Sequence, residues 1–168
     1  MKGKYVLFTA IAILVILVDQ VSKLYVMRHL ALHESIEVIP GFFNITYIRN
    51  PGAAFGFLSE APPYFRYIFF VAVTVAAIVL ILYYLRKSAT AENTIIVSLA
   101  LIFSGAVGNL IDRVRFGEVS DFLDVYIGSA HWPAFNAADS AITLGAAFLL
   151  VELFKRGRER RDARTYPQ

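Results

Sequence analysis

Residues 67–85 read YIFFVAVTVAAIVLILYYL, without a single charged side chain. A helix needs about 20 mostly apolar residues to cross a bilayer, and this run supplies them. Working outward, three more segments approach the same character. Residues 5–25 open with YVLFTAIAILVILV and admit Asp19 and Lys23 only in their last turns. Residues 94–111 are uncharged, and residues 139–154 are thinner, with Asp139 at one end and Glu152 near the other. Counting residues 65–85 as the second span, the four predict an all-α integral membrane fold, one membrane-embedded domain over residues 1–168.

Composition agrees. The chain is 58% hydrophobic and 17% charged, against about 45–50% and about 25% in soluble domains. Its mean hydropathy is +0.60. Disorder would need the opposite balance. There is no cysteine, which removes disulfides, cysteine-ligated metals and cysteine nucleophiles together. Lys2 and Lys4 before an apolar core resemble a secretory signal, but Asp19–Lys23 follows where small cleavage-site residues would stand, so an uncleaved signal anchor is predicted.

Orientation follows from the cations. With four spans, ten fall on one side: Lys2, Lys4, Arg86, Lys87, Lys155, Arg156, Arg158, Arg160, Arg161 and Arg164. Six fall on the other: Lys23, Arg28, Arg49, Arg66, Arg113 and Arg115. The positive-inside rule then puts both termini in the cytoplasm. The basic tail, residues 155–168, reads as an anchor to anionic membrane lipid and not as a nucleic-acid site. Residues 27–63 become extracytoplasmic. Within them SIEVI (35–39) and FFNITYI (42–48) flank Pro40–Gly41 and predict a hairpin. Tyr64, Tyr67, Tyr83, Tyr84 and Trp132 read as interfacial aromatic belts.

Of the 13 acids, nine lie at or near the outer face. Ionisable groups at membrane depth are costly and call for a reason. Asp19 and Lys23, four apart, share a helix face and suit an ion pair with a structural or orienting role. Asn50, Gly52 and Gly56 stand in a stretch of small residues after the hairpin; turn formation, helix packing and substrate contact all fit. Asn109, Asp112 and Arg113 share one face of the third span, where Asp and Arg could pair or the Arg could hold a peptide carbonyl. Asp121 and Asp139 lie in one extracytoplasmic connection, at one membrane depth. Two carboxylates brought close cannot both ionise easily, and such a pair can activate a water while polarising a carbonyl. Helix capping is the plain alternative, and Asp124 is a rival partner. His29 and His33 at i, i+4 lack the Glu of a zinc-protease motif. No serine elbow or phosphate loop is present.

These residues carry a resemblance. Asp19-Gln20-x-Ser22-Lys23, Asn50-x-Gly52-Ala53-Ala54-Phe55, Gly108-Asn109-Leu110-Ile111-Asp112-Arg113, Val119-x-Asp121-Phe122 and Phe135-Asn136-x-Ala138-Asp139 occur in the order of the bacterial prolipoprotein signal peptidases, signal peptidase II, from the first span to the fourth. The resemblance implies an intramembrane aspartic endopeptidase that removes the signal peptide from diacylglyceryl-modified prolipoproteins, cleaving before the lipidated cysteine. It implies Asp121 and Asp139 as the catalytic pair, which decides against Asp124. Asn50, Gly52, Asn109, Arg113 and Asn136 would position substrate, with Asp19, Lys23 and Asp112 in support. It also implies a small extracytoplasmic β-sheet, a short amphipathic helix, and a monomer working in the inner membrane. No metal or organic cofactor is expected. Pro51 departs from the family, which often has a small polar residue there; proline removes an N–H. A proton transporter and a non-enzymatic scaffold are the rival readings; a transporter would need polar residues through the uninterrupted apolar middles of spans two and three.

Overall fold

The computed structural model describes residues 2–52, 58, 60–87 and 92–165, with side chains at all but 159, 160 and 162–165. Four helices form the bundle: α1 (Lys2–His29), α2 (Pro63–Lys87), α3 (Asn93–Phe116) and α4 (Ala137–Thr165). All four are long and apolar enough to cross a membrane, α4 through its stretch Ala137–Arg158. Four strands sit at one end: β1 (Ser35–Ile39), β2 (Phe43–Asn50), β3 (Val119–Ile127) and β4 (Ala130–His131). They form an antiparallel sheet in chain order.

α3 is the central helix. Eleven of its residues are buried, including Ser98, Ser104, Gly105, Gly108, Asn109 and Asp112, whereas α2 buries only Ile81 and Leu85. A helix that is apolar all round and still exposed suits lipid, and α2 is that helix. Ser98 and Ser104 satisfy their hydroxyls on the carbonyls of Thr94 and Leu101 within α3, as serines in apolar helices do. α3 and α4 cross where Gly105 faces the Ala138 backbone and Gly145 faces Ser98; a Cβ at either would collide. Small residues let backbones approach in this way. α3 stops at Gly117, whose φ of +79° only glycine adopts readily, with its N–H bonded to the Arg113 carbonyl. That cap turns the chain directly into β3.

Away from the sheet, Phe8, Ile81, Leu85, Ile95, Ile96 and Leu99 pack α1, α2 and α3 together. Lys4 donates to the Leu85 carbonyl at 2.7 Å. Beside the sheet, Val26 of α1 and Leu30, just past its end, pack on Tyr47 and Phe122.

The structure differs from expectation at several points. The helices overrun the predicted spans at every end. α2 begins at Pro63, a residue suited to the first helical position. α4 continues past 154, so the basic segment expected as a tail is helical to Thr165; Lys and Arg are good helix formers. The predicted hairpin is present as β1–β2, but the connection holding Asp121 is itself the strand β3. Trp132 lies beside the sheet and not at a span end, its N–H bonded to the Val125 carbonyl. α1 stops at His29, and His33 sits in a turn at φ +68°, so the two imidazoles do not share a helix face. Among the described residues there is no separate short amphipathic helix. Ala53, Ala54, Phe55 and Gly56 lie outside the described residues.

Candidate active site

The site begins with a buried charge cluster toward the sheet end of α1. Asp19, Lys23 and Asp112 are each no more than 1% exposed. An ammonium has three donors, and all three of Lys23 are used: Asp19 Oδ2 at 2.9 Å, Asp112 Oδ2 at 3.1 Å and Asn109 Oδ1 at 3.0 Å. The remaining carboxylate oxygens are taken as well. Asp19 Oδ1 accepts the Ala138 N–H at 2.9 Å and Asp112 Oδ1 accepts from Gln20 Nε2 at 3.3 Å, while Asp112 Oδ2 also accepts the Ser120 N–H at 3.0 Å and Asp19 Oδ2 also accepts from Gln20 Nε2. Three helices and the start of β3 are therefore tied through one saturated network. Asp112 pairs with Lys23 and not with its neighbour Arg113.

Asn109 passes this order to the next layer. Its Oδ1 accepts from Lys23 and from Asn136 Nδ2, so its Nδ2 is left to donate to Asp139 Oδ1 at 2.8 Å. Asp139 is also half of a reciprocal cap on α4. Its N–H donates to Asn136 Oδ1 at 2.9 Å, and its Oδ2 accepts the Asn136 N–H at 3.2 Å. This is the capping-box pattern, with Asp in the third helical position. Capping, the plain alternative for Asp139, is thus real, but it uses the carboxylate in a cluster that also holds Asp121. Asn136, fully buried, donates to Asp121 Oδ1 at 2.7 Å. Asn50, the last residue of β2, donates to Asp121 Oδ2 at 2.9 Å and accepts the Gly52 N–H at 3.0 Å. One asparagine therefore touches both carboxylates, and two others hold one each.

Burial pushes the Asp121 carboxyl up to about 7, and the Asp139 charge pushes in the same direction; the Asn50 and Asn136 amides and Lys23 oppose them. Arg113 lies within electrostatic reach of Asp139, Asp121 and Asp112. It donates to the Gly52 carbonyl at 3.3 Å and sits over the Phe70 ring of α2 at 5.1 Å. Two carboxyls held under amide donors, with a guanidinium nearby, are an arrangement suited to polarising a carbonyl and activating water.

A family model described as "Signal peptidase (SPase) II" matches residues 11–155. The chain belongs to the signal peptidase II family. It is 57% identical over 160 residues to the lipoprotein signal peptidase of Syntrophus aciditrophicus, covering 95% of this chain and 99% of that one. It is 52% identical over 155 residues to that of Geobacter metallireducens, covering 92% and 94%. Among solved structures it is similar to a bacterial membrane enzyme determined by the in meso method, with TM-score 0.79, 40% identity, and coverage of 88% of this chain and 87% of the other. A signal peptidase II is a peptidase, and four spanning helices make this one a multi-pass membrane protein.

Within this signal peptidase II, the structure gathers Asn50, Asn109, Asn136, Asp121 and Asp139, with Asp19, Lys23 and Asp112 beneath and Gly52 and Arg113 at the rim. Asp124 is elsewhere: Asn44 donates to it at 2.9 Å and His131 Nδ1 lies 2.9 Å away. Successive strand residues alternate faces, so Asp121 and Asp124 point to opposite sides of β3. Sequence reasoning gives no role to Gln20 and Ser120. Gln20 stands in the first motif block beside Asp19, and the signal for Ser120 is its adjacency to Asp121.

Proposed function

We propose that this chain is a lipoprotein signal peptidase that cuts diacylglyceryl-modified prolipoproteins before the lipidated cysteine, using Asp121 and Asp139 as an aspartic pair. The single observation carrying this reading is that buried Asn136 bonds both carboxylates while Asp121 is pushed up to about 7. Near neutral pH such a pair holds one proton. Asp121 keeps it, and Asp139 is the ionised partner. Asp139 takes a proton from water as the water oxygen attacks the scissile carbonyl carbon. Asp121 donates to the developing oxyanion. Collapse of the tetrahedral intermediate breaks the C–N bond, and the proton taken from water passes to the leaving cysteine amine.

Asn50, Asn109 and Asn136 hold the two carboxyl groups, and Arg113 with the Gly52 backbone orients the substrate chain. Asp19, Lys23 and Asp112 support them. The site lies at the extracytoplasmic face with both termini cytoplasmic, so substrate acyl chains can stay in lipid while the peptide bond reaches the pair. Lipid binding away from the cut bond supplies orientation.

The test uses purified protein in nanodiscs with one prolipoprotein, prepared with and without its diacylglyceryl group. Mass spectrometry should find a product beginning at the lipidated cysteine, and at least about 100-fold slower cleavage without lipid. Equal cleavage of both forms, or a cut elsewhere, would refute the proposal.

A further inference from the structure

We infer that Arg49 is a positioning residue for catalysis, acting through Asn50 on Asp121. The inference rests on the reading of Asp121 as a catalytic partner. Arg49 is half-buried in β2, and its contacts come from three elements. Its Nε donates to the Tyr47 hydroxyl at 2.8 Å, and its Nη2 points at the Met27 sulfur of α1 at 3.7 Å. Its guanidinium lies 4.3 Å from the Phe116 ring centroid at the end of α3 and 5.5 Å from that of Tyr47. No carboxylate pairs with it among the described residues.

The register explains what this peg holds. Arg49 is opposite Ser120 and Asn50 is opposite Val119 in β3. Alternation along a strand sends neighbouring side chains to opposite faces. Arg49 therefore grips the ends of α1 and α3 on one face, while Asn50 reaches Asp121 on the other. Asn50 is the last residue of its strand, and strand ends are held weakly unless tied down. Arg49 is the tie. It does not face the carboxyl pair, so it touches no reacting atom. A guanidinium does this better than an ammonium because it is planar and stacks on rings.

The test is a double-mutant cycle on the full protein in nanodiscs, reading kcat, KM and the pH profile for Arg49→Met, Arg49→Lys, Asn50→Ala and the two doubles. Arg49→Met should lower kcat about 10- to 100-fold, the scale of a roughly 1 Å misplacement, with KM changed less than about twofold. On the Asn50→Ala background, the same substitution should cost less than about twofold, because both act through one contact. Asn50 pulls the Asp121 carboxyl down, so losing its grip moves the alkaline limb of activity to higher pH in each single variant. Arg49→Lys should follow in the same direction, and its cycle decides the matter if Arg49→Met does not fold. Losses that multiply, or an alkaline limb that does not move, would overturn the inference. Asp121→Asn separates the two failures. If it stays active, the catalytic reading fails; if it is dead while the losses multiply, only the role of Arg49 fails.

Discussion

The two ends of the bundle use the same charged residue types and obtain different things from them. At the sheet end, Lys23 sits with Asp19 and Asp112 out of water, every donor and acceptor matched. At the opposite end, Arg156 pairs with Glu92 at 2.9 Å and Glu152 at 3.0 Å, but Glu92 is 61% exposed. Burial makes the first cluster a liability unless it is complete, and completeness forces α1, α3, α4 and β3 into one arrangement. Exposure makes the second tolerant of loss. The polar network holds the carboxyl pair in place, whereas the Arg156 ion pairs only add to helix packing that the apolar contacts of that end already make.

Lys23 is where the two ends should differ most. Lys23→Met leaves two buried carboxylates facing each other, which should cost about 3–5 kcal/mol, read from unfolding in detergent. A loss as small as that of a surface pair would erase the contrast between the ends.

A pH series comes next. The Asp121 carboxyl is raised from 3.8 to about 7. For an acid raised on folding, the associated stability is complete below the unfolded value and is lost as pH rises through the folded one. Between pH 5 and pH 8 wild type should lose about 2–3 kcal/mol from this group. Asp121→Asn lacks that loss, so its melting temperature relative to wild type should climb across the range. A flat difference would mean that Asp121 is not held up by its surroundings.

Gly108 tests the fit of the network. A Cβ there meets the Asp19 carboxylate and sits 3.3 Å from the Ala138 side chain. Gly108→Ala should cost about 1–3 kcal/mol by overpacking and slow cleavage. Retention of both stability and rate would show slack in the network. Smallest of all should be Glu92→Gln, which should shift melting by less than about 2 °C and leave cleavage untouched. A larger shift would move the opposite end toward the behaviour of the network.

Much of this was legible in the sequence, for reasons that differ by region. The spans announced themselves because lipid tolerates only long apolar runs, and the β1–β2 hairpin because Pro40–Gly41 separates two strand-like runs. β3 did not, because VSDFLDVYI carries Ser120, Asp121 and Asp124 at buried positions and so lacks clean alternation. The helix ends are hidden in the sequence for a related reason. Asp19, Lys23 and Asp112 look like exits from the membrane, yet they are satisfied inside the protein, so α1 and α3 run on past them. Spacing left Asp121, Asp124 and Asp139 undivided. Only the fold shows Asp124 turned toward Asn44 and His131.

The most direct test of the account is cleavage of a diacylglyceryl-modified prolipoprotein by Asp121→Asn, Asp139→Asn and Asp124→Asn, each checked for melting temperature. Asparagine keeps the shape and removes the titrating proton. The first two should be folded and slowed at least about 100-fold, with Asp124→Asn within about threefold of wild type. A folded Asp121→Asn or Asp139→Asn that cleaves at a near wild-type rate would contradict it.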